Sequence, residues 1–241
     1  GDTTDSTSTK KFGASSAELD GTGDSFTVTD HADWQLGGGT GNFTIDYWVK
    51  FDDTAVSYMV AQVPSDDDRW MILKTSTMIQ FRVHSGASII IDTGALSWAH
   101  NTDQWYHIAL IRGWGGNAND YAITIDGTQV GSTLTDTSTI PDFSAVLDIS
   151  GRSDYGGSYV NGHMDEVRIS NTARWTSNFT PPSSEYTSDS NTKLLMHMNE
   201  VAATSDTTHD TTLISNTTVA ESQPDQANIV MLVENSTTTP T

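Results

Sequence analysis

Asp165 is the residue that most needs a chemical explanation. It lies in Gly162-His163-Met164-Asp165-Glu166-Val167-Arg168-Ile169-Ser170, which alternates as a short strand and is expected to run into a helical turn at residues 171–175. Period two puts Asp165 on the face of Val167 and Ile169. A carboxylate among apolar neighbours needs a hydrogen-bond donor, an arginine such as Arg168 or Arg174, or a metal ion. Asp66-Asp67-Asp68 is a second cation candidate, because adjacent acids repel unless a cation or solvent screens them; a solvated loop is the plainer reading. Two further loops set flat rings beside planar polar groups. Trp114 stands with Asn117, Asn119 and Asp120; Tyr155 and Tyr159 stand with Arg152, Asp154 and Asn161. Such groups can stack on sugar rings and hydrogen-bond their hydroxyls, although packing is the commoner role of any one aromatic.

Other chemistries find little support. No Gly-X-Ser-X-Gly, His-Glu-X-X-His or phosphate-loop pattern occurs. Asp165 and Glu166 are adjacent in a strand, so alternation sends them to opposite faces. Cysteine is absent, which removes thiol catalysis, disulfides and thiolate zinc sites. The chain of 241 residues carries 31 Asp and Glu against 11 Lys and Arg, a net charge of -20. Nucleic acid is therefore an improbable partner, since phosphate binding needs a basic face. Acidity of this degree suits solubility or cation binding. No apolar run approaches the ~18 residues of a membrane span.

The elements that would position these groups read as strands. Residues 1–11 form a polar lead without a strand. Ser16 to Leu19 and Asp24 to Thr29 flank Asp20-Gly21-Thr22-Gly23 and read as a hairpin. Asp30 reads as the N-cap of one helical turn with Trp34 turned inward, and residues 37–41 as a flexible link. In Asn42 to Phe51, Phe43, Ile45, Tyr47, Val49 and Phe51 alternate with Thr44, Asp46, Trp48 and Lys50, the clearest strand of the chain. Strands follow at residues 56–63, 70–74, 78–84, 88–91, 106–112, 121–125 and 128–130, the last two across Asp126-Gly127, a two-residue hairpin turn. Residues 145–150 and 193–198 add two more. With almost no helix, the expected fold is all-β: a two-sheet antiparallel sandwich over residues 12–200. Residues 201–241 form a linker and a short β-rich extension, too few for a core of their own.

Several blocks carry a family resemblance: residues 12–24 (Phe-Gly-Ala-Ser-Ser-Ala-Glu-Leu-Asp-Gly-Thr-Gly-Asp), 42–49 (Asn-Phe-Thr-Ile-Asp-Tyr-Trp-Val), 105–109 (Trp-Tyr-His-Ile-Ala), 125–131 (Ile-Asp-Gly-Thr-Gln-Val-Gly) and 165–170 (Asp-Glu-Val-Arg-Ile-Ser). In this order they resemble laminin-G-like, concanavalin-A-like jelly-roll domains. Residues 174–182 and 192–197 are similar to versions in marine bacteriophage structural proteins. The resemblance implies two curved sheets, a glycan- or protein-binding rim or concave face that Trp48 and Trp70 could line, and a structural calcium. In that family pattern Asp165 would join Asp20, Asp24 and the carbonyls of Gly21 and Gly23 around Ca2+, which takes six to eight oxygens. Related glycanases set two acids on one strand face, and no Glu-X-Asp-X-X-Glu run is present. The expected function is a non-catalytic carbohydrate-binding or adhesion module of an extracellular or virion protein. Host-surface glycans are its expected partners. A capsid-decoration or tail-fibre subunit, contacting other virion subunits or copies of itself, is the alternative; a polysaccharide-degrading enzyme is a distant third.

Overall fold

The computed structural model describes residues 3–152 and 157–199. The expected strands beyond residue 200 lie outside the described residues. Along the chain the strands are β1 (Thr4–Ser6), β2 (Ser16–Asp20), β3 (Phe26–Val28), β4 (Phe43–Phe51) and β5 (Ser57–Gln62). There follow β6 (Arg69–Lys74), β7 (Met78–Ser85), β8 (Ser88–Asp92), β9 (Leu96–Ser97) and β10 (Trp105–Arg112). The last are β11 (Asp120–Ile125), β12 (Thr128–Thr135), β13 (Leu147–Ile149), β14 (Asn161–Ser170) and β15 (Thr192–Met196).

They build two antiparallel sheets. The first has the order β1-β2-β14-β4-β10-β11-β12, with β15 also on β14; the second runs β3-β13-β5-β6-β7-β8, with β9 on β7. This is the expected jelly-roll sandwich. Its core lies between the sheets, where Phe43, Ile45, Tyr47, Val49 and Phe51 of β4 face Trp70, Ile72, Phe81 and Val83, all fully buried. Each such side chain contributes roughly 1.5–3 kcal/mol of burial.

The middle of the first sheet, β14, β4, β10 and β11, is buried on both faces. Ala109, Ile111 and Ala122 on its outer side pack with Trp114, Trp175 and Phe179, while Trp48 packs with Phe12, Tyr186 and Leu195. The roof is the chain between β14 and β15, together with residues 11–14. Gly127 lets the roof dock. At φ 76° it takes the left-handed turn conformation, and a Cβ there would collide with the Phe179 carbonyl. Double burial explains why β10 reads as a continuous apolar run.

Four local expectations are corrected. The lead holds a strand, β1, paired to β2 as Thr4 with Glu18 and Ser6 with Ser16. β2 and β3 do not form a hairpin, because the turn between them passes the chain from one sheet to the other. The cap of the helical turn Ala32–Gln35 is His31, whose Nδ1 accepts the Asp33 N–H, and not Asp30. No helical turn follows β14: residues 171–175 leave the strand as bends that begin the roof.

Candidate functional site

Asp165 does not point where strict alternation puts it. The pairing of β14 with β4 slips between Asp165 and Arg168, and Glu166 takes φ 54°. One extra residue in the strand is a β-bulge, which restarts the alternation out of phase. Met164, Val167 and Ile169 therefore face the core, while Asp165, Glu166 and Arg168 all lie on the outer face beneath the roof. Two corrections follow. Asp165 does not share a face with Val167, and Asp165 and Glu166 are not on opposite faces.

Each acid beneath the roof is engaged. Asp165 Oδ2 accepts the N–H groups of Lys11 and Phe12 at 2.9 and 3.1 Å, while Oδ1 is buried without a partner. Of the alternatives open to it, backbone donors were the ones used. Arg168 instead grips Asp46 of β4 through Nε and Nη2 at 3.0 and 2.8 Å, and Arg174 pairs with Asp189. Burial pushes the Asp165 carboxyl up to about 7 against those two amide bonds, and the Glu166 charge adds to the rise. Asp46 behaves oppositely: burial raises it, but the Arg168 guanidinium and the His107 ring outweigh burial and hold it below its ordinary value. Glu166 Oε2 accepts the Tyr186 N–H at 2.7 Å, and His197 Nδ1 lies 2.9 and 3.0 Å from its two oxygens. The hydrogen bond to Glu166 raises the His197 pKa against partial burial. These groups fasten the roof to the sheet, and none of the three acids opens onto the cleft described below.

The predicted calcium ligands do not converge on Asp165. Asp20 pairs with Asn161 of β14, four residues before Asp165, which is ~13 Å along a strand. Asp24 stays with the first turn. It is buried, its Oδ2 accepts the Asp20 N–H at 2.9 Å, and its Oδ1 has no partner. Asp20 Oδ1 accepts the Thr22 N–H between Gly21 and Gly23. The first-turn part of the set is therefore together, with an orphaned carboxylate oxygen that suits a hard cation. In the acidic loop, Asp66 reaches Arg152 at 3.0 Å and Asp68 Oδ1 accepts the Gly86 N–H, so both have protein partners.

The two predicted ligand loops fall at opposite ends of β14, nine residue steps or ~30 Å apart. At its start, Asn161 donates to Asp53 and the buried Arg152 holds Asp66, with its guanidinium 5.3 Å from the Tyr58 ring centre. Tyr159 packs beside Gly151; Asp154 and Tyr155 lie outside the described residues. At the other end Trp114 is only 7% exposed and donates to Gln129 at 2.9 Å. It packs with Ala109, Ile111 and Trp175 and offers no free face, which corrects its reading as a stacking platform. Trp48 and Trp70 are buried too, the latter donating to the Trp34 carbonyl and Gln62. Asn117, Asn119 and Asp120 do lie on the rim, with Asn117 Oδ1 accepting the Asn119 N–H and Asp120 accepting from Thr135 at 2.6 Å.

Sequence reasoning missed the cleft beside that loop. It has a volume of about 360 Å3 and is walled by Asp33, Gly37, Gly38, Asn42, Asn171 and Lys193. Residues 37–41, expected to be a slack link, form its lip, with Gly37, Gly38 and Gly39 all at positive φ. Arg112, fully buried, ties the lip to the neighbouring loop: Nη1 donates to the Gly39 carbonyl at 2.8 Å and Nε to the Ala118 carbonyl at 3.0 Å. Lys193 and Asp33 pair across the cleft at 3.2 Å. Asn42 Oδ1 is buried in the wall with no donor. Only Gly113 lets the Trp114 loop close on Asn42, since a Cβ there would lie 2.7 Å from its Cγ. Cleft and loop thus share one rim, spanning three strand spacings from β14 to β11, or ~14 Å. The only sequence hint was the glycine run beside polar residues.

With this geometry in hand, comparison with known proteins is decisive for the family. The model of the concanavalin A-like lectin/glucanases superfamily matches residues 20–178. The chain belongs to that family. No curated protein matches it. Among solved structures it is similar to the CBM40 of the Ruminococcus gnavus IT-sialidase, bound to alpha2,3 sialyllactose, with TM-score 0.53 and 13% identity over 67% of this chain and 92% of that one. It is also similar to domain 4 of an extracellular arabinanase from Geobacillus stearothermophilus, in complex with arabinotriose, with TM-score 0.52 and 17% identity over 72% and 77%. A putative carbohydrate binding protein from Bacteroides ovatus aligns at TM-score 0.47 and 14% identity over 68% of this chain, which spans 47% of that protein's length. At these identities the likeness is one of fold. No helix among the described residues is long and apolar enough to cross a membrane.

Proposed function

We propose that the chain is a non-catalytic carbohydrate-binding module that takes its glycan in the rim cleft. The observation that carries this is the cleft itself, whose wall offers the side chains of Asp33, Asn42, Asn171 and Lys193. Its size suits one or two sugar rings. No aromatic ring lines it, so recognition rests on hydrogen bonds, and Asn117 and Asn119 lie within reach of a longer chain. The acids beneath the roof are bound to protein partners, which argues against hydrolysis. The similarity of residues 174–182 and 192–197 to bacteriophage structural proteins supports a place on a virion or another extracellular surface. The same reading keeps a structural calcium at the first turn, on Asp20, Asp24 and the Gly21 and Gly23 carbonyls, without Asp165; the orphaned Asp24 oxygen supports it.

Glycan-array screening of the full chain, followed by calorimetry on the best sugar, tests this. Lys193→Ala and Asn171→Ala are expected to weaken binding about tenfold each, the loss of one charged or bidentate contact. No binding to any glycan, or binding that both variants leave intact, would sink the assignment. A stable assembly without glycan binding would favour the structural role instead. For calcium, the melting midpoint is expected to rise with added Ca2+ and fall with chelator, because a ligand of the native state stabilises it. Equal midpoints refute that part alone.

A further inference from the structure

The roof fastening contains a second, chemically different cluster. Glu166, Glu185 and His197 offer ligand atoms that all lie within 4.8 Å of one another, the one such trio of His, Cys, Asp or Glu among the described residues. Three separate segments supply them: the bulge of β14, the end of the roof, and the chain leaving β15. Glu166 is fully buried, His197 partly so, and Glu185 is exposed. The bulge that turns Glu166 outward also turns Asp165 outward, and Asp165 is fully buried with its Oδ1 unpartnered. His197 Nδ1 lies 2.9 and 3.0 Å from the two Glu166 oxygens, with Glu185 completing the trio.

The surroundings hold the set in place. Asn199 Nδ2 donates to Glu185 Oε1 at 2.7 Å, and Asn199 Oδ1 accepts the N–H groups of Ala14 and Ser15 at 2.8 and 3.3 Å. Gly13, at φ 55°, closes over Glu185 and Asn199 where any Cβ would collide with both. Glu166 is anchored by the Tyr186 N–H at 2.7 Å. The His197–Glu166 separations of 2.9 and 3.0 Å are those of a hydrogen bond, and opening them to the ~3.4 Å between tetrahedral ligands bound at ~2.1 Å would admit an ion.

We infer that Glu166, Glu185 and His197 form a divalent transition-metal site, of zinc type, that clamps the roof and the end of β15 to the sheet. The donor set decides the metal class. Mixed imidazole and carboxylate ligands suit Zn2+, Mn2+ or Co2+, whereas Ca2+ takes oxygen alone. The exposed side of Glu185 leaves a coordination position for water, so the ion is exchangeable. This site is independent of the glycan cleft and of the first turn.

Titration of the chelator-treated full chain with Zn2+ alone, by calorimetry and by melting midpoint, tests the inference. One Zn2+ per chain at micromolar Kd is expected, with a midpoint that Zn2+ raises further when saturating Ca2+ is already present. His197→Ala is expected to weaken Zn2+ binding at least tenfold. Glu185→Gln, at an exposed position that does not threaten folding, is expected to weaken it severalfold. Absence of Zn2+ heat and of any midpoint shift would overturn the site. So would Zn2+ binding equal to wild type in both variants, which would place the ion on other histidines.

Discussion

Replacing Arg168 by methionine is expected to strand a carboxylate inside the protein. Asp46 is fully buried and receives Arg168 Nε and Nη2 at 3.0 and 2.8 Å. Its other close polar neighbour, the His107 ring, lies 3.5 Å away and is shared with the Tyr186 hydroxyl at 2.9 Å. Methionine fills the space of the arginine stem but brings no charge. Removing one partner of a buried pair costs roughly 3–5 kcal/mol, because the remaining ion keeps its desolvation penalty. In a chain of this size each kcal/mol moves the midpoint by about 2–4 °C, so a fall of about 6–20 °C is expected. The roof should loosen as well, since the guanidinium lies 4.0 Å from the Tyr186 ring centre. Urea unfolding gives the free energy, and amide exchange over residues 172–191 reports the roof. The pH dependence has a defined sign. In the wild type the Asp46 pKa is lowered, so the pair contributes above the ordinary carboxylate range, near 4, and its contribution is lost as pH falls through the lowered value. In the variant a protonated Asp46 needs no cation, so the deficit should shrink as pH approaches 4. Asp46→Asn combined with Arg168→Met should recover most of the loss. A single-variant cost below about 1 kcal/mol, or a double variant no more stable than the single, would refute the reasoning.

Lys74 provides a second pH test. Burial lowers its pKa to about 8 against the pull of Asp53, and its Nζ lies 3.2 Å from His100 and 4.3 Å from the Phe51 ring centre. The folded protein releases this proton before the unfolded chain does, so stability should rise between pH 8 and about 10, by less than about 3 kcal/mol after solvent screening. Lys74→Met should flatten that rise in chemical-denaturation curves, and an unchanged slope would count against it. Gly127→Ala forces a methyl group toward the Phe179 carbonyl at φ 76°; a loss of about 1–3 kcal/mol with increased roof exchange is expected, and a neutral result would show the roof is not docked there. Trp114→Phe keeps a ring in the packed cluster and removes the hydrogen bond to Gln129. It should cost about 1 kcal/mol and leave glycan binding unchanged; weakened binding in a stably folded variant would restore Trp114 as a ligand contact.

The sheets were legible because alternate residues of a strand face the core and carry apolar side chains, even where the other face is covered too. Phe43 to Phe51 shows this, and all five of its odd-numbered residues are core. Asp126-Gly127 was equally plain, since few dipeptides accept its turn: Ile125 pairs with Thr128, and both turn residues have positive φ. The ordered family blocks made the fold class readable before any contact was known. Tertiary structure alone decided the sites. A single left-handed residue, Glu166, reverses the facing of everything after it, and glutamate gives no local sign of that conformation. The Trp114 and Arg152 loops look alike in composition, yet β14 holds them at opposite ends of the sandwich. Trp114 became packing because the roof, distant in sequence, covers it. Asp33, Asn42, Asn171 and Lys193 meet only where strands from distant parts of the chain end side by side, as do Glu166, Glu185 and His197. Local periodicity reports which residues are buried, whereas strand pairing and one bulge determine which of them meet.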